Sequence, residues 1–171
     1  MAHQIELNPV SYVTIGTIGP PGQRTFYLQG GRGSQTISLT IEKEQATMLA
    51  NSLETFLAEL EEKHPAETRD ADESVLQDMR LREPVEALFR VGNMGMGFNE
   101  SSDQIVLVAY ELVDEDDEPD VVSLWASRSQ MQALVARARE MVASGRPICG
   151  NCGRPMDPDG HFCPNRNGYR H

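Results

Sequence analysis

The sequence predicts an α+β fold in which two strand-strand-strand-helix units form an antiparallel-rich sheet covered by two helices, followed by a small zinc-binding tail. Three observations predict it. Segments rich in β-branched residues occur in two groups of three. Each group is followed by one stretch with apolar residues at helical spacing. All three cysteines of the 171-residue chain, Cys149, Cys152 and Cys163, lie close together near its end.

In the first group, Val10 to Ile18 (VSYVTIGTI) reads as a strand, broken by Gly19-Pro20-Pro21-Gly22. Thr25 to Gln29 (TFYLQ) is a second strand, and Gly30 to Ser34 (GGRGS) a flexible hairpin turn with Arg32 at its tip. In Thr36 to Ile41, Ile37, Leu39 and Ile41 alternate onto one face, as in a half-buried strand. A helix is expected over Glu42 to Lys63. Met48, Leu49, Leu53, Phe56, Leu57 and Leu60 form its apolar stripe, and Glu54, Glu59 and Glu62 its wet face. His64-Pro65 stops it.

Residues 65–84 read as a polar linker with at most one short helical stretch. The pattern then resumes. Val85 to Phe98 is apolar and punctuated by glycine, Ile105 to Val113 (IVLVAYELV) is a strong strand, and Val121 to Ala126 (VVSLWA) is another, with Trp125 expected in the core. A second helix is expected over Arg128 to Ala143, with Met131, Leu134, Val135, Ala138 and Val142 inward. Ser127 and Gln130 fit a capping box, in which each side chain satisfies a free amide of the other residue. The halves, about 8–64 and 85–144, look duplicated: Gln45-x3-Leu49 matches Gln130-x3-Leu134, and Ile15-Gly16 matches Val91-Gly92. The expected organisation is a body over 1–145 and a tail over 146–171.

The formal net charge is −11. Both nucleic acid and anionic membrane repel such a body, so neither is an expected partner. The tail is the exception, with Arg146, Arg154, Arg166 and Arg170 against Asp157 and Asp159. Contact of this tail with RNA is the weakest reading. The start, MAHQIELNPVSYV, has no signal-peptide pattern, and no run of apolar residues is long enough to span a bilayer. A cytoplasmic location follows as the expectation, where clustered thiols read as metal ligands rather than disulfides.

Those thiols carry the chemistry. In Cys149-x2-Cys152-x8-His161-x1-Cys163, three thiolates and one imidazole complete a tetrahedral zinc shell. Asp157-Pro158-Asp159-Gly160 is a turn that folds the second ligand pair back onto the first. Four protein ligands leave no position for water, so the zinc is expected to be structural. His171 is the alternative fourth ligand. The glycines of VGNMGMGF (Val91 to Phe98) lack a phosphate-loop pattern, and DEDDEPD (Asp114 to Asp120) lacks the glycine and terminal glutamate of a calcium loop. A bent strand and a solvated turn are expected instead.

Together, TIGTIGPPGQRTFYLQ, FRVGNMGMGF and the tail CGNCGRPMDPDGHFCPNRNGYR resemble a bacterial family designated domain of unknown function 3090, over nearly the whole length. The end, Asn167-Gly168-Tyr169-Arg170-His171, departs slightly from its pattern. The resemblance carries no activity and no catalytic residue. It implies, by association alone, partners that look like a histidine phosphatase and a lipid-kinase-fold protein. Two functions are expected. The first is a cytosolic, non-enzymatic binding or adaptor protein with a structural zinc. The alternative is an enzyme or binder acting on a phosphorylated or anionic small molecule, with Arg24, Arg32 and Arg90 as its anion ligands. Whether the chain is an enzyme stays open at this level.

Overall fold

A computed structural model of the chain describes residues 2–20, 22–65 and 78–144. The strands are β1 (Gln4–Leu7), β2 (Tyr12–Ile18), β3 (Thr25–Arg32), β4 (Gln35–Ile41), β5 (Ala87–Asn99), β6 (Gln104–Glu111) and β7 (Val121–Ala126). The helices are α1 (Lys43–Lys63) between β4 and β5, and α2 (Arg128–Ser144) after β7. The α+β class is as expected. The sheet, however, has seven strands and is mixed, in the order β1-β7-β6-β5-β4-β3-β2. β1/β7 and β4/β5 are parallel, and the other neighbours are antiparallel.

The chain between β1 and β2 joins the two ends of this sheet. Val10 donates its amide to the Trp125 carbonyl of β7 at 2.8 Å, and the next residue, Ser11, donates to the Gly31 carbonyl of β3 at 2.7 Å. Consecutive residues thus serve opposite edges, and the sheet bends back on itself. The bend brings Leu124 of β7 over β3 at Gly30, where an added Cβ would stand 2.9 Å from Leu124 Cδ2. Gly30 and Gly31, expected in a turn, belong to β3, and glycine is needed at 30 by Leu124 and at 31 by the Tyr12 ring, 2.2 Å from where a Cβ would stand. The turn itself is Gly33-Ser34, with Gly33 at φ +60°.

The strands put alternate side chains on a common inner face. Val13, Ile15, Phe26, Leu28, Leu39, Ile41, Ile105, Leu107, Val122 and Leu124 are all buried there. Ala46, Leu49, Ala50, Leu53 and Leu60 of α1 and Met131, Leu134, Val135, Ala138 and Met141 of α2 complete the core. Each leucine so removed from water contributes about 2 kcal/mol. Met48, expected in the stripe, is instead 65% exposed. Trp125 points to the outer face and is half-buried, because strand alternation turns Val122, Leu124 and Ala126 inward.

Both helices start with a capping box. Gln45 Oε1 accepts from the Glu42 amide at 2.7 Å, and Gln130 Oε1 accepts from the Ser127 amide at 2.9 Å. Their free ends also bind backbone carbonyls elsewhere in the fold. Gln45 Nε2 donates to the Val91 and Gly92 carbonyls, both at 3.0 Å, and Gln130 Nε2 to those of Val10 and Ser11, at 3.3 and 3.5 Å. α1 and α2 pack together, with Arg139 bridged to Glu54 at 2.6 Å. The guanidinium hydrogen bonds and charge hold the Glu54 carboxyl below its usual range.

The described end of the expected linker is a strap, not a helix. It crosses the outer face of β2–β4, where Thr14, Gln29 and Ser38 are buried polar residues. The Met79 carbonyl accepts from Thr14 Oγ1 at 2.6 Å. The Gln29 amide reads the backbone of Arg82 from both sides, Oε1 accepting from its N–H at 2.8 Å and Nε2 donating to its carbonyl at 3.0 Å. Leu81 fills the space over Gly16, 2.4 Å from where a Cβ would stand, and the Arg82 guanidinium lies 3.7 Å over the Tyr12 ring. Among the described residues no helix is long and apolar enough to cross a membrane.

Candidate functional site

β5 is the longest strand, and it changes neighbours along its length. Its first residues pair with β4, Ser38 with Ala87 and Thr40 with Arg90. There β4 ends and the chain turns into α1. Gln45 closes the next two carbonyls, as described above. From Asn93 to Asn99, β5 pairs only with β6 among the described residues, so its other edge carries no strand. α1 runs beside that edge, from Gln45 at Val91 to His64, whose ring lies 5.3 Å from that of Phe98.

A groove of about 500 Å³ lies between them. Met48, Ser52 and Phe56 form its helix wall, and Met94, Gly95 and Met96 its strand wall. Met94, Met96 and Phe56 are only partly buried against the core. Methionine is unbranched and polarizable, so this lining adapts to varied apolar side chains. An open strand edge beside it offers main-chain hydrogen bonds in register. Its polar lining is Gln45, Ser52, Thr55, Glu59 and Asn93.

The neighbouring helix–strand contact differs. α2 packs along β2, and Arg137 Nε donates to the Ile15 carbonyl at 3.1 Å, sealing that edge. Val13 and Ile15 are fully buried beneath it.

The arginines expected to share an anion are held apart. Arg24 and Arg32 flank opposite ends of β3, about 26 Å apart along extended chain. Arg24 donates to Thr17 Oγ1 at 3.0 Å. Arg32 donates to the Asn8 carbonyl, in a polar cleft of about 780 Å³ that also carries Glu6. Arg90, on β5, is bridged to Glu42 at 3.2 Å on the surface. The three form no common anion site, since each is engaged in a different place.

Cys149, Cys152, His161, Cys163 and the alternative ligand His171 lie outside the described residues. Among the described residues no group of three or more metal-ligating side chains comes together. The groove itself has a weak trace in sequence, in the glycines and methionines of VGNMGMGF. Its position depends on where β5 leaves β4, which no local pattern announces.

No curated protein and no solved structure matches the chain. A family profile described as "Protein of unknown function (DUF3090)" matches residues 5–163, which takes in the body and the cysteine-containing stretch. With nearly its whole length matched, this chain belongs to the DUF3090 family.

Proposed function

We propose that this protein is a non-enzymatic binding module that holds an extended, apolar segment of a partner protein along β5, beside α1. The open edge of β5 from Asn93 to Phe98, lined by Met48, Met94 and Met96, carries the reading. Main-chain pairing supplies affinity in such strand addition, and the pockets between alternate side chains supply selectivity.

An internal duplication, proposed on the following correspondences, would add support. A shift of 85 residues carries Ser38 to Ser123 and the buried Ala46, Leu49, Ala50 and Leu53 of α1 to the buried Met131, Leu134, Val135 and Ala138 of α2. A shift of 81 carries Glu6, Val13 and Ile15 to Ala87, Met94 and Met96. The sheet registers follow suit: Glu6 pairs with Ser123 as Ala87 pairs with Ser38. Leu28 pairs with Leu39 as Leu107 pairs with Leu124. The carbonyls that Gln45 and Gln130 reach fit the same shifts, so we align Val91-Gly92 with Val10-Ser11 rather than with Ile15-Gly16. β1 and β2 together correspond to the single bent strand β5. Under this correspondence the groove is the counterpart of the sealed α2/β2 contact. Ser52 stands where Arg137 stands, and the half-exposed Met96 where Ile15 is fully buried. One copy closes its edge and the other leaves it open for a partner.

The tail extends the proposal. Three thiolates and one imidazole in Cys149, Cys152, His161 and Cys163 fit zinc, and a saturated shell assigns it a structural role. Native mass spectrometry of the full chain is expected to find one zinc, lost in Cys152→Ser. A metal-free chain with oxidised thiols would remove this part of the proposal.

The partners to try first are the histidine-phosphatase-like and lipid-kinase-fold proteins. A complex with either is expected to weaken at least tenfold in Ser52→Arg, which places a guanidinium over the Met96 edge as Arg137 lies over Ile15. An affinity unchanged by both Ser52→Arg and Met96→Lys would exclude the groove. Partner-independent turnover by the isolated protein, lost on a point change in the body, would replace the adaptor reading with an enzyme.

A further inference from the structure

The outer faces of the two halves are treated differently. That of β2–β4 is covered by the strap, which seals Gly16 with Leu81 and Gln29 with Arg82. The same face of β5–β7 carries Val106, which is buried, with the half-buried Val108, Ser123 and Trp125 and the exposed Tyr110. It is the more apolar of the two, yet no described segment crosses it. An added Cβ at Gly95 would meet nothing within 4 Å among the described residues, whereas the corresponding Thr14 is capped by the Met79 carbonyl. Tyr110 is 38% exposed. Trp125 Nε1 is buried and has no acceptor among the described residues. A buried indole N–H normally finds one.

We infer that this face is the docking surface for the chain's own C-terminal segment, residues 146–171. Three observations select this occupant over a second copy or another protein. The first is connectivity: α1 feeds the strap that covers the first half, and α2, its counterpart, feeds residues 145–171. The second is reach. Only 14 residues, 64–77, separate α1 at Lys63 from the strap's described start, and the chain after Ser144 has 27. The third is charge. The segment carries Arg146, Arg154, Arg166 and Arg170, while the loop that borders this face between β6 and β7 is the acidic run Asp114 to Asp120. A backbone carbonyl of the docked segment would accept from Trp125 Nε1, as the Met79 carbonyl accepts from Thr14. The duplication gives the placement its logic, but the apolar face and the unpartnered indole stand without it.

A photo-crosslinking residue, p-benzoylphenylalanine, in place of Tyr110 tests this in the full chain at high dilution. The expected product is an intramolecular crosslink to a peptide from 146–171. The same residue in place of Tyr27 should crosslink to 78–84, which verifies the method on the strap. Crosslinking of the Tyr110 variant to a second copy, or to no part of 146–171, would overturn the inference. Neither outcome depends on what occupies the α1/β5 groove.

Discussion

Gln29→Leu is expected to destabilise the protein by about 3 kcal/mol and to release the strap. Leucine has nearly the volume of glutamine, so the loss is one of hydrogen bonding. Gln29 is fully buried and is the hub of the outer face of β2–β4. Its Oε1 accepts from the Arg82 amide and, at 3.2 Å, from the Tyr12 hydroxyl. Its Nε2 donates to the Arg82 carbonyl and, at 3.0 Å, to Ser38 Oγ. Leucine leaves all four groups without that partner. As long as the strap stays down, these groups are covered without that partner, and among the described residues only the Tyr12 hydroxyl has another, Thr36 Oγ1 at 3.4 Å, which is why the cost exceeds that of one ordinary hydrogen bond. Urea unfolding measures the loss, and hydrogen exchange at the Arg82 amide measures the release. A loss below about 1 kcal/mol with Arg82 still protected would show that Leu81 over Gly16, and not Gln29, holds the strap.

The same network shows what local sequence patterns carry and what they omit. Both helices were legible, since an apolar stripe and a glutamine at the third helical position are local signals. So were six strands, to within a few residues. β1 was not, because the four residues QIEL alternate weakly and gain their hydrogen bonds from β7, more than a hundred residues away. The strap read as linker because its attachment runs from sheet side chains to its backbone, which leaves no mark on its own residue types. Trp125 was misplaced although the strand's period of two contained the answer: Val122, Leu124 and Ala126 cannot share a face with it. Of the candidate sites, the three arginines were grouped by charge alone, and topology scattered them along and across the sheet. The groove was hidden for the opposite reason. It lies where, among the described residues, half of β5 has no strand neighbour, and such a gap has no motif.

Leu124→Ala should cost about 3–4 kcal/mol, and Gly30→Ala, itself destabilising, should cost far less in its presence. Leu124 is 2% exposed and lies where the bent sheet brings β7 against β3. Removing its isobutyl group loses transfer free energy and leaves a cavity that strands on both sides keep from collapsing. In the parent protein, a methyl group on Gly30 would stand 2.9 Å from Leu124 Cδ2 and 3.3 Å from Cδ1, so the Leu124 side chain must shift within a packed core. Overpacking of this kind costs about 1–3 kcal/mol. With Leu124 truncated, the same methyl group enters the vacated volume, so the two changes are coupled in the stabilising direction. Four thermal or urea unfolding curves complete the cycle. A coupling of at least about 1 kcal/mol is expected for side chains in direct contact. Simple additivity would mean that β3 and β7 do not meet across the core, and that the bend joining Val10 to one edge and Ser11 to the other does not close the sheet.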